Sequence, residues 1–108
     1  MQDDITVKEL KEKVDQGEKV NLIDVREPHE WDMDVLPFAM KISMASVPAK
    51  LEELKEYKDQ ELIINCRSGG RSGQITMYLR GQGFKNVRNL LGGMLAWQAE
   101  IDNNFNVQ

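Results

Sequence analysis

The residues best able to do chemistry lie together in one short stretch, Ile63-Ile64-Asn65-Cys66-Arg67-Ser68-Gly69-Gly70-Arg71-Ser72. It holds the only cysteine of the chain, directly after an apolar run and inside a turn of two glycines, two serines and two arginines. With a strand ending at Cys66 and a helix starting near Ser72, Gly69 and Gly70 can curl the backbone so that its N–H groups point inward as an anion-binding nest. The helix N-terminus adds partial positive charge, and Arg67 and Arg71 supply full charges. A free thiol titrates at about 8.5, and surroundings of this kind bring it to roughly 3.5–7.5. Cys66 is therefore expected as a thiolate facing a concave, positively polarised pocket.

The bland alternative is a small buried hydrophobe, the usual role of a lone cysteine. Two adjacent arginines and a run of small residues argue against it, since a core thiol gains nothing from them. A nucleotide phosphate loop is a weaker reading, because Gly69-Gly70-Arg71-Ser72 lacks the lysine of the Walker pattern. Cysteine phosphatases use a loop one residue longer between nucleophile and phosphate-gripping arginine. Here four residues separate Cys66 from Arg71, and Ser72 stands where that arginine belongs. The smaller cradle suits a terminal sulfur carried on the cysteine better than a phosphoryl group.

The surrounding pattern supplies elements to position this turn. Thr6-Val7-Lys8-Glu9 reads as a capping box opening a helix with Val7, Leu10 and Val14 on one side, closed by Gly17. Val20 to Val25 and Glu61 to Asn65 read as strands, near-continuously apolar as in a parallel sheet covered on both faces. Residues 31–39 read as irregular, and Met40-Lys41-Ile42 as a short edge strand. Ser46 is placed as the cap of the next helix, with Pro48 in its first turn. A helix is expected from about Ser72 to Gln82, with Ile75, Tyr78 and Leu79 inward. A strand follows over Val87 to Leu90, and Gly92-Gly93 permits a tight turn into a last helix. Alternating strands and helices predict an α/β fold: a small, mostly parallel central sheet flanked by helices on both faces. Ligands of such sheets sit beyond the carboxyl ends of the strands, where Cys66 falls.

The chain has 108 residues, enough for one domain over 1–108 with a core of about 5–101 and a flexible tail at 102–108. One cysteine and one histidine exclude an internal disulfide and a Cys/His zinc set. The acidic start Met1-Gln2-Asp3-Asp4 lacks signal-peptide character. These features suit a reducing, cytoplasmic setting. A net charge of -4 repels nucleic acid and anionic membranes, so a small anion needs a local positive feature.

Three segments resemble the rhodanese-like sulfurtransferase family, over about Ile5 to Ile101. They are Leu22-Ile23-Asp24-Val25-Arg26-Glu27 with Glu30-Trp31, the Cys66–Ser72 loop, and Gly83-Phe84 through Val87 followed by Asn89-Leu90-Leu91-Gly92-Gly93 and Ala96-Trp97. The resemblance implies a single-domain enzyme that moves sulfane sulfur. The donor is thiosulfate or a persulfide, and the acceptor is a thiol, small or on a protein, or cyanide. Cys66 carries the sulfur as a persulfide held by the amides of Arg67, Ser68, Gly69, Gly70, Arg71 and Ser72, with neither metal nor organic cofactor. Arg67 is the residue expected to assist an anionic donor; Arg71 either does so or pairs outward with an acidic neighbour. A non-catalytic binding or regulatory module on this fold, and a cysteine phosphatase or arsenate-reductase-like enzyme, are the alternatives.

The sequence departs from the family at Asp34 to Ala39, where a Gly-His-Ile-Pro-Gly-Ala segment is common. An altered loop and an exposed Phe38 are expected there. Asp24 and Arg26 are read as a structural clasp beside the site. His29 is read as a solvated residue and Trp31 and Trp97 as core anchors. Lys50 to Lys58 is read as a mixed-charge helix surface from which no partner follows.

Overall fold

The computed structural model describes residues 4–107; Met1, Gln2 and Asp3 of the acidic N-terminus and Gln108 of the tail lie outside them. Thr6 caps helix α1 (Val7–Asp15): its hydroxyl accepts from the Glu9 amide at 3.1 Å while the Glu9 carboxylate accepts from the Thr6 amide at 2.9 Å. That reciprocal box is the one the sequence predicts. The apolar runs form β2 (Leu22–Asp24) and β4 (Glu61–Asn65), with β3 (Met40–Lys41) and β5 (Asn86–Leu90) as shorter strands. Sequence patterning misses β1 (Asp4–Ile5), because two residues are too few to show an alternation.

The strands run in the order β1-β5-β4-β2-β3, and each of these pairings is parallel. Successive side chains of a strand face opposite ways, so the sheet carries two apolar clusters. Ile23, Leu62, Ile64, Cys66 and Val87 join Ile75 and Leu79 of α4 (Gly70–Gly81) on one face. Leu22, Ile63 and Leu90 join Leu10 of α1 and Met94 and Trp97 of α5 (Gly93–Glu100) on the other. The chain leaves β2 toward β3 and β4 toward β5, in opposite directions, which places the topological switch point between β2 and β4. No described helix is long and apolar enough to cross a membrane.

Several sequence expectations are corrected. A single turn of helix, α2 (Pro28–Trp31), precedes the irregular segment, and it buries Glu30 rather than Trp31. Trp31 is half-buried and belongs to neither apolar cluster, unlike Trp97. Ser46 does not cap a helix: it closes a 3-10 turn over Met44–Ser46, its hydroxyl 2.9 Å from that of Ser43. A second 3-10 turn, Pro48–Lys50, leads into α3 (Leu51–Leu54).

The tail is not loose, and Phe38 is half-buried. Phe105 is 7% exposed in the α1/α5 cluster, against which Phe38 and Val107 also pack. Its carbonyl accepts from Gln98 at 2.8 Å, and the Asn106 amide donates to Asp34 at 2.8 Å. The departure at residues 34–39 is thus covered by the chain's own C-terminal segment. Phe105→Ala is expected to lower stability by about 2 kcal/mol, the transfer value of a buried aromatic side chain. Urea midpoints of the two proteins measure it, and equal midpoints show that the tail docks without stabilising.

Candidate active site

β4 delivers Cys66 at its carboxyl end, on the face covered by α4. The backbone then turns through Gly69 at φ +106, a left-handed conformation that glycine adopts without steric cost. Helix α4 starts at Gly70, two residues earlier than the sequence suggests. Gly70 has no positive φ, and a Cβ built on it meets nothing within 4 Å. The sequence reading, which makes both glycines necessary to the nest, is corrected: Gly69 alone of the pair has the conformation that favours glycine.

The Cys66 sulfur lies 3.1 Å from the Gly69 amide, 3.3 Å from the Ser72 amide and 3.2 Å from the Ser72 hydroxyl. It is more enclosed than a thiol facing an open pocket, since Cys66 is 1% exposed. That burial pushes its pKa up. The Ser72 hydroxyl and the amides of Ser72, Gly69 and Ser68 outweigh it, and the net pKa falls below the ordinary cysteine value. The sulfur combines the core location of the bland reading, in the cluster with Ile23 and Ile64, with polar donors that such a location does not by itself supply.

The first turn of α5 holds the other side of the loop. Met94 donates to the Cys66 carbonyl at 3.0 Å and Leu95 to the Arg67 carbonyl at 3.0 Å. Gly92 and Gly93 have φ of +73 and +55, and Gly93 packs directly against the Cys66–Arg67 backbone. The Gly92-Gly93 pair is the tight turn the sequence suggests, and it also seats the cysteine loop.

The two arginines separate. Arg67 and Ser68 are exposed. Arg71 is bidentate to Glu30 of α2, at 2.7 and 2.9 Å, so it pairs with an acidic neighbour. Its guanidinium holds the Glu30 carboxyl down to about 2, with the Glu27 amide assisting and burial opposing. Because the folded pKa lies below the unfolded one, this contribution to stability is complete above about pH 4.5 and lost as pH falls toward about 2. Glu30→Gln is therefore expected to be less stable than the parent at pH 7, with the gap closing across that window. Denaturant midpoints at several pH values check it; a constant gap contradicts the pairing.

Asp24 and Arg26 form the clasp that the sequence suggests. Both are fully buried, with Arg26 Nη2 2.9 Å from Asp24 Oδ2 and 2.8 Å from the Asp34 carbonyl. Asn65 adds a contact to Asp24 at 3.3 Å. The clasp ties the ends of β2 and β4 to the loop at residue 34. His29 is exposed on α2. Sequence reasoning assigned no role to Glu30 and Asn89, although both stand inside the quoted segments. The Ser72 hydroxyl donates to Asn89 Oδ1 at 2.5 Å, and Asn89 Nδ2 donates to the Gly69 carbonyl at 3.2 Å.

Beside the loop lies a cleft of about 540 Å³, walled by Met44, Pro48, Ile75 and Tyr78 and rimmed by Glu27 and Arg71. Arg71 connects it to the cysteine loop.

Comparison with known proteins agrees with this fold. The rhodanese-like domain family matches residues 6–100. YtwF of Bacillus subtilis (strain 168) is 45% identical over 97 residues, covering 90% of this chain and 91% of that protein. A sulfurtransferase of Allochromatium vinosum is 37% identical over 97 residues, covering 90% and 89%. The crystal structure of a rhodanese-like domain protein from Staphylococcus aureus superimposes with a TM-score of 0.80 at 32% identity, covering 100% of this chain and 99% of that one. The chain belongs to the rhodanese-like domain family.

Proposed function

We propose that this protein is a sulfurtransferase in which Cys66 carries sulfane sulfur between a donor and a thiol. The observation that carries the reading is the Cys66 sulfur ringed by the Ser72 hydroxyl and the Gly69 and Ser72 amides. Such preset donors favour negative charge on sulfur. The thiolate attacks the outer sulfur of thiosulfate or of a persulfide. A sulfur–sulfur bond forms to Cys66 as the donor's own breaks, and its electron pair leaves with sulfite or a thiolate. An acceptor thiolate, or cyanide, then attacks the outer sulfur, and the Cys66 thiolate leaves. No net oxidant or reductant is needed. The Allochromatium relative carries the sulfurtransferase name at 37% identity, which supports the same class here.

Arg67, exposed and next to Cys66 in sequence, is the proposed guide for an anionic donor, and the unit is proposed to be one domain working in a reducing compartment. A phosphatase reading is disfavoured because Arg71 is already bidentate to Glu30, and Ser72 replaces the arginine such loops use. Incubation with thiosulfate or a small persulfide is expected to add one sulfur, about 32 Da, at Cys66. Intact-mass spectra without the adduct for either donor overturn the proposal in favour of a non-catalytic module.

A further inference from the structure

Asn89 lies near the end of β5, opposite Ile64 of β4, and contacts the cysteine loop at two points. The orientation of its amide is determined chemically. Only Nδ2 can donate to the Gly69 carbonyl, so Oδ1 faces Ser72. A carbonyl oxygen accepts only, which makes Ser72 the donor across the 2.5 Å contact. The Ser72 hydroxyl has one proton and two acceptors within reach, Asn89 Oδ1 and the Cys66 sulfur at 3.2 Å. Ser72 is 0% exposed, so water does not offer a third.

We propose that Asn89 is a positioning residue that gives the Ser72 hydroxyl an alternative partner whenever negative charge is absent from the Cys66 sulfur. The idea rests on the sulfur-transfer reading for its consequence but not for its geometry. While Cys66 is a thiol, the hydroxyl donates to Asn89 and presents a lone pair to the S–H. Once Cys66 ionises, the hydroxyl turns to the sulfur, the stronger acceptor. In a persulfide the charge sits on the outer sulfur, and the hydroxyl returns to Asn89 instead of being left buried without a partner. Meanwhile Nδ2 holds the carbonyl of Gly69, the residue whose N–H donates to the sulfur. Asn89 thereby narrows the free-energy gap between the loaded and unloaded states, as a carrier that must release its cargo requires.

Removing Asn89 leaves the hydroxyl only the sulfur, which favours the thiolate over both the thiol and the persulfide. The test is a double-mutant cycle of Asn89→Ala and Ser72→Ala, read by the pH dependence of alkylation of the lone cysteine. Asn89→Ala is expected to lower the Cys66 midpoint by about one pH unit more when Ser72 is present than when it is absent. Equal shifts in the two backgrounds overturn the proposal, because a merely structural role for Asn89 moves both alike. Asn89→Leu, of similar size, replaces Asn89→Ala if the smaller variant does not fold. As a second readout, the sulfur-exchange equilibrium with glutathione persulfide is expected to shift about tenfold toward unloaded protein in Asn89→Ala, and not in the Ser72→Ala background. Parent protein that fails to load defeats the transfer reading, while the titration cycle still decides the role of Asn89.

Discussion

Cys66→Ser is expected to abolish sulfur loading and to reduce turnover with thiosulfate or a persulfide by about 10⁴-fold or more, the scale seen when a covalent nucleophile is removed. The loss is chemical rather than structural. A serine hydroxyl is far too weakly acidic to be ionised at neutral pH, whatever surrounds it, and it cannot form the sulfur–sulfur bond that stores the cargo. The same donors that face the sulfur, the Gly69 and Ser72 amides and the Ser72 hydroxyl, also accommodate an oxygen there. The variant should therefore fold with stability within about 1 kcal/mol of the parent. Intact mass after donor treatment and a discontinuous acceptor assay measure the effect, and a loaded Cys66→Ser protein contradicts the assignment. In the parent, loading should track the thiolate. Because the Cys66 pKa lies below the ordinary cysteine value, the rate should level off at a lower pH than alkylation of a simple thiol does.

Gly93→Ala is expected to cost about 3–5 kcal/mol, and to slow loading by about 100-fold in whatever fraction folds. A Cβ at this position falls 2.3 Å from the Cys66 carbonyl oxygen and 2.7 Å from the Arg67 carbonyl carbon and oxygen. These neighbours are backbone, so no side-chain rotation relieves the overlap. The φ of +55 adds the left-handed penalty of an L residue. The remaining escape is for α5 to move off the loop, which breaks the bonds from Met94 and Leu95 to the Cys66 and Arg67 carbonyls and shifts the sulfur from its donors. Gly70→Ala is the control. With ordinary φ and open space around it, that change should be neutral or stabilise by about 0.4–1 kcal/mol through the unfolded chain. Thermal unfolding and loading rates of the two variants separate the cases, and a Gly93→Ala protein as stable as the parent removes the close-approach argument.

The site has a division of labour that its composition hides. Two arginines follow the cysteine closely in sequence, yet backbone and hydroxyl donors face the sulfur itself. Arg71 instead ties the loop to α2 through Glu30, and the buried Asp24–Arg26 pair ties β2 to the 34–39 loop. For the fully buried Asp24–Arg26 pair, losing one partner costs far more than forming the pair contributes, because a charge is left buried alone.

Much of the architecture was legible in the linear chain. The capping box at Thr6 and Glu9, the apolar runs at Leu22 and Glu61, and the glycine pair at Gly92 each depend on residues close in sequence. Local chemistry decides such features. So does the cysteine turn, whose left-handed Gly69 and following helix lie within a few residues of Cys66. Contacts between distant segments were not legible. β1 is too short to leave a pattern, the tail's anchoring by Phe105 depends on a groove made by other elements, and the partner of Arg71 lies 41 residues upstream. The second acceptor for the Ser72 hydroxyl also comes from elsewhere, from Asn89 on a neighbouring strand. The sequence by itself determined that the lone thiol follows a buried parallel strand and opens a glycine turn, because propensity and spacing are properties of neighbours. Only the tertiary structure decided which groups surround that thiol, because burial and hydrogen-bond partners exist only once remote segments are packed together.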